Sequence, residues 1–127
     1  MTTMQSTPTA TARTLISAID TGDLDTIGTV IADDVHFRFG NADPTDTKAD
    51  FAATAQAFLG SLAGIRHDIQ NIWEVGKDTV VCVIDVHYRR RDGGEFTLPC
   101  CNVFRVRDGL IHDYRIYMDI NPVTAPE

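Results

Sequence analysis

The sequence predicts an α+β fold, with helices from the front half packed on one face of a mostly antiparallel sheet from the back half. Three observations predict it. Apolar residues recur at helical spacing through most of the first 62 positions and at a spacing of two from Ile65 onward. Asp108-Gly109 joins two long alternating runs, the strongest short-range hairpin signal. Turn formers at Gly76-Lys77-Asp78 and Asp92-Gly93-Gly94 divide the remainder into consecutive hairpins.

Taken in order, residues 1–8 are Thr-, Ser- and Pro-containing and read as a disordered tail. A first helix is expected over 9–21, where Leu15, Ile16 and Ile19 form a stripe and Gly22 supplies a stop. Asp23 caps a short second helix carrying Leu24, Ile27, Val30 and Ile31. The run 35–39 alternates and reads as a strand with Val35, Phe37 and Phe39 on one face. Thr47 with Asp50 resembles a capping box that opens a third helix. Its apolar stripe is Phe51, Ala55, Phe58, Leu59 and Leu62, and Gly64 is its expected end. Strands follow at 65–75, 79–91, 95–107 and 110–119. The expected division is one domain over 9–122 and a C-terminal tail over 123–127. A curved sheet over three helices encloses a cavity, the natural place for a ligand.

Composition narrows the function classes. The 127 residues carry a net charge of -7 and the pI is about 4.9. An acidic chain with one dense basic run, Arg89-Arg90-Arg91 beside Asp92, argues against nucleic acid and anionic membrane surfaces. That run reads as a solvated hairpin tip. No stretch approaches the roughly 18 apolar residues of a membrane span, and no secretory leader is visible. Cys82, Cys100 and Cys101 are odd in number and lack metal-ligand spacing. They read as reduced thiols of a cytoplasmic protein. No nucleotide, metal or other cofactor motif is present.

Patterning leaves the faces of the sheet open. In 79–91 the even residues, from Val80 to Tyr88, make the cleaner apolar face. Burying them would leave Asp85 in solvent. The alternative covers both faces, one by helices and the other by a partner subunit. A one-residue slip reverses every assignment. In 95–107 Leu98, Cys100, Asn102 and Phe104 share a face. In the last strand Tyr114, Ile116 and Met118 do. In 65–75 Ile65, His67, Ile69 and Asn71 do, which sets His67 among apolar neighbours. His36 and His112 read as exposed, and Asp119 as a cap at the chain's exit.

The run DTGDLDTIGTVIADDVHFRFG, the helix with Phe51 and Phe58, and the closing VFRVRDGLIHDYRIYMD resemble the SnoaL-like proteins. These belong to the nuclear transport factor two-like, or ketosteroid-isomerase-like, superfamily. The resemblance implies a cone of bent sheet over three helices, an internal pocket and dimers through the outer sheet face. It implies a pocket built from Phe37, Phe39, Leu98, Cys100, Ile116 and Met118, with His67, Asp85, His87 and Asn102 pointing inward. Tyr114 is a further candidate to hang a hydroxyl into the pocket, against an ordinary core tyrosine with its tip in water. Most of the superfamily's catalytic groups are replaced. The steroid isomerases' oxyanion tyrosine falls at Leu15 and their base at Phe39, while their second oxyanion acid falls at Asn102. The final-strand aspartate of SnoaL-type cyclases and epoxide hydrolases falls at Ile116. The epoxide hydrolases' Arg, Tyr and Asn fall at Val83, Phe37 and Phe39, leaving only an aspartate at Asp85.

The expected function is therefore cofactor-independent proton transfer on an apolar, oxygenated small molecule: isomerisation, cyclisation or dehydration. His67 would be the acid or base, Asp85 its orienter and Asn102 a donor to substrate oxygen. His87 would complete the polar contacts. Against this stand a structural Asp85–His67 bond, an outward Asp85 facing a partner, and an Asn102 amide satisfied by backbone. A binding module without chemistry is the main alternative, and epoxide hydrolysis a lesser one. Cys100 is disfavoured as a nucleophile because an apolar pocket raises a thiol's pKa.

Overall fold

The computed structural model describes residues 7–125. The expected tails at 1–8 and 123–127 therefore lie partly outside the described residues. Helix α1 is Pro8–Thr21: the Thr7 side chain accepts from the Ala10 amide, and Gly22 closes it with a left-handed φ of 69°. Asp23 caps α2, Leu24–Thr29, by accepting from the Thr26 amide. Strand β1, Ile31–Phe39, precedes α3, Lys48–Gly60, whose cap is Thr47 accepting from Asp50. Four strands follow: β2 (Leu62–Val75), β3 (Thr79–Arg90), β4 (Glu95–Arg107) and β5 (Leu110–Tyr117).

Three boundaries differ from expectation. Val30 and Ile31 do not extend α2; the β-branched run favours an extended chain, and Ile31 begins β1. Ser61, not Gly64, closes α3, and Gly64 lies in β2. Residues Asn121–Thr124 form a short helix, α4, that buries Val123. Asp119 accepts from the Asn121 amide at 3.0 Å where the chain leaves the sheet; the N-cap position of α4 itself is Ile120, which makes no side-chain cap.

The five strands form one sheet in the order β1-β5-β4-β3-β2. β1 runs parallel to β5 and every other pair is antiparallel. Leu15 of α1 packs with Val35, Val80, Ile84, Val86, Phe104 and Ile111 in the core between the helices and one sheet face. Phe104 stacks on Tyr114 with centroids 4.7 Å apart.

Register decides the faces. Residues directly opposite across an antiparallel pair lie on the same face. His67 is opposite Val86, and Asn102 opposite Cys82. Val86 and Cys82 are buried, so both polar residues point inward. Asp85 is opposite Asp68 and Pro99, and His87 opposite Arg66 and Thr97. Asp85 and His87 thus lie on the outer face, contrary to the placement carried over from the resemblance. The even residues of β3 are the buried ones, as the plainer patterning suggested. A bulge after Ile69 breaks the alternation of β2: Ile69 opposes Ile84, but Asn71 opposes Val83. Asn71 therefore faces outward, not inward with His67.

Two of the three arginines in the basic run are engaged. Arg91 donates to the Gly60 carbonyl at 2.7 and 3.0 Å, tying the β3–β4 turn to the end of α3. Arg90 reaches the Ala125 carbonyl at 3.0 Å and pairs with Asp92 at 2.7 Å.

Candidate active site

Between the sheet's inner face and α1 and α3 lies a cavity of about 60 Å³. That volume holds only a few waters. A surface groove of about 500 Å³ lies beside it, and Phe39, Thr54, Phe58 and Met118 line both. These side chains form the partition, with Phe39 and Phe58 edge to face at 5.3 Å. Rotation of Met118 or the two rings would join the spaces.

Of the residues expected at the site, Phe37, Phe39, Ile116 and Met118 line the cavity, as do Cys100, Tyr114, Asn102 and His67. Leu98 points inward but packs against the core without reaching the cavity. Asp85 and His87 are excluded by facing. His87 is hydrogen-bonded through Nδ1 to Thr97 Oγ1 at 2.8 Å on the outer surface.

His67 does have a carboxylate partner, and it is Asp20. Its ring Nδ1 contacts Asp20 Oδ1. The same carboxylate accepts from the His67 backbone amide at 3.0 and 3.1 Å. An ionised carboxylate only accepts, so Nδ1 carries the proton and Nε2 is the nitrogen left for chemistry. The side chains are 7% and 22% exposed, so the pair is largely shielded from water. Sequence reasoning missed Asp20. One signal existed: it falls four residues after Ile16, where the apolar stripe of α1 should continue.

Asn102 is fully buried. Its Oδ1 accepts from the Cys100 thiol at 3.0 Å. Its Nδ2 has no partner among the described residues, so backbone does not satisfy this amide. The Tyr88 hydroxyl donates to Met118 Sδ at 3.3 Å, a weak acceptor. Burial pushes the Cys100 thiol up to about 12, reinforced by the nearby Cys101 and Cys82 thiols. Burial also raises the Tyr88 and Tyr114 hydroxyls well above the ordinary tyrosine range, with Cys100 adding to both. The cavity is thus walled by apolar and neutral protic groups, with one imidazole. Among the described residues no three His, Cys, Asp or Glu side chains converge to hold a metal.

Bent sheet, covering helices and internal cavity define the class, and solved structures agree. An NTF2-like protein of unknown function from Burkholderia pseudomallei superposes with a TM-score of 0.84 at 19% identity, covering 94% of this chain and 99% of that one. IdmH, a proposed polyketide cyclase from Streptomyces antibioticus, gives 0.79 at 23% identity over 90% and 93%. An LEH-like epoxide hydrolase from M. tuberculosis gives 0.78 at 19% identity over 89% and 83%. At such identities the likeness shows the NTF2-like cone fold. The profile of the SnoaL-like domain matches residues 12–114, and the chain belongs to that family. No curated protein matches the sequence. Among the described residues no helix is long and apolar enough to cross a membrane.

Proposed function

We propose that this protein is a cofactor-independent enzyme that moves a proton on an apolar, carbonyl-bearing small molecule, with His67 as the base and acid. The observation that carries the reading is the Asp20 clamp on His67 beside a cavity that holds an unpartnered amide donor. His67 Nε2 removes a proton next to the substrate carbonyl. Asp20 holds the Nδ1 proton and stabilises the imidazolium that forms. Asn102 Nδ2 donates to the carbonyl oxygen as it gains negative charge. Return of the proton to another atom completes an isomerisation; loss of a β-hydroxyl, which takes the proton from His67 and leaves as water, completes a dehydration; attack on a second carbonyl, whose alkoxide then takes the proton, completes a cyclisation. Asp85 takes no part, because it lies across the sheet from His67. Epoxide opening by the carboxylate left at that position has no support for the same reason.

The test is deuterium exchange in D2O, read by NMR, over a panel of aryl and alicyclic ketones. Wild type should exchange the α-protons of at least one. His67→Ala should slow that by about 10²–10⁴-fold, Asp20→Asn should slow it strongly, and Asp85→Asn should leave it unchanged. Equal exchange by wild type and His67→Ala removes the assignment.

A second reading is a ligand-binding module without chemistry. Apolar residues at Leu15, Phe39 and Ile116 favour it, since among the described residues no carboxylate lines the cavity. It predicts retention of a ketone with no exchange. In either case we propose that a second copy covers the outer sheet face, and that the free thiols Cys82, Cys100 and Cys101 suit a reducing cytoplasm.

A further inference from the structure

We propose that Cys100 is a positioning residue: its thiol fixes which end of the Asn102 amide faces the cavity, and so makes the site read a hydrogen-bond acceptor on its ligand. This rests on the reading of Asn102 as a donor to substrate oxygen. A side-chain amide is ambidextrous, and a half-turn about its last bond exchanges donor for acceptor at nearly the same shape. Something nearby must break that symmetry. On the inner face of β4 the Cys100 thiol stands two residues before Asn102, and its Sγ donates to Oδ1 at 3.0 Å. A thiol is a donor that accepts only feebly. The reversed amide would point Nδ2 at sulfur and forfeit most of that bond. Oδ1 is therefore held at Sγ, and Nδ2 remains without a partner in a fully buried side chain that lines the cavity.

An orphaned buried donor costs free energy until something accepts from it. An oxygen with lone pairs, as in a ketone, ester or ether, meets that need. A hydrocarbon of the same shape leaves the donor bare. The thiol holds its proton through the neutral range because burial raises it, so the arrangement persists wherever the protein is folded. Cys100 touches no substrate in this account; it acts through Asn102.

The test compares acetophenone with ethylbenzene, which share a skeleton and differ in one carbonyl oxygen. Dissociation constants come from NMR titration of wild type, Cys100→Ser, Cys100→Ala and Asn102→Leu, each first checked for folding by urea titration. The ratio of the two constants cancels general packing changes. Wild type should prefer the ketone by about 3–10-fold, the scale of one hydrogen bond. Cys100→Ser puts there a hydroxyl that donates and accepts equally well, so it no longer fixes the amide and should weaken the preference. Cys100→Ala frees the amide to turn and should bring the ratio close to one, as should Asn102→Leu. If Cys100→Ala retains the full preference while Asn102→Leu loses it, the role of Cys100 is overturned and the Asn102 donor stands. If Asn102→Leu also retains it, or wild type binds neither molecule or both equally, the donor reading fails and the positioning role fails with it.

Discussion

Burial holds the thiols of Cys82 and Cys100 in their protonated form, raising Cys82 to about 11 and Cys100 to about 12. These groups bind their protons more tightly in the folded chain than in the unfolded one. Their contribution is fully present below the ordinary thiol range near pH 8.5, and is lost as pH rises through the folded values. Tyr88 and Tyr114 act with the same sign at higher pH. We expect the melting temperature to fall steadily between about pH 8.5 and 11, and the fall to be shallower in a Cys82→Ala/Cys100→Ala variant. A flat melting temperature over that interval would show that neither thiol is shielded from water. Single residues were unevenly legible in the sequence. His67 stood out because a histidine among apolar neighbours needs a reason. Asp20 did not, because its bond to His67 spans 47 positions between a helix end and a strand. Asp85 was misplaced because its inward face was carried over from the resemblance, without the register of β3 against its neighbours.

Among the elements, the β4–β5 hairpin was the most legible. Asp108 has φ 55° and Gly109 φ 74°, two successive left-handed residues that match the twist of the strands. Valine at Gly109 would carry a branched Cβ into that region. We expect Gly109→Val to cost about 1–2 kcal/mol, measured by urea unfolding; an unchanged midpoint would mean that the turn relaxes without strain. Caps at Asp23 and Thr47 were legible for the same reason: the chemistry is local and the side chain bonds an amide three residues on. The Thr7 cap was not, because it falls in the stretch read as a tail. The bulge after Ile69 was not legible. An extra residue in a strand changes neither composition nor local propensity, and only the partner strand reveals it.

For the whole molecule, the outer sheet face carries Trp73, Val75 and Tyr117, which are 49%, 54% and 54% exposed. Val81, Val83 and Val103 lie half-buried on that face among them. Apolar residues on both faces explain why β3 reads as a nearly continuous hydrophobic run, and why parity alone could not say which side met the helices. The fold was legible because element type and order follow from periodicity and turns. The site was legible only in part, because it depends on facing. If a second copy covers this surface, Trp73→Glu should yield monomers by sedimentation at micromolar concentration where wild type sediments as a dimer. A wild type that is itself monomeric there rules the second copy out.

The extra residue at Gln70 also lets one strand change which parity faces inward. Ahead of it the odd positions face the helices, so Ile65 and His67 serve the cavity; beyond it Ile72 takes the inward place and Trp73 the outward one. Loss of the Gln70 codon would merge the two halves into one continuous alternation, with Asn71 following Ile69 as the outward residue, Ile72 still inward and Trp73 still outward. His67 and Trp73 would keep their faces, and what the strand would lose is the local kink and added twist of the bulge. A lineage that lacks a codon there should therefore keep both the cavity histidine and the exposed tryptophan while bending its sheet differently.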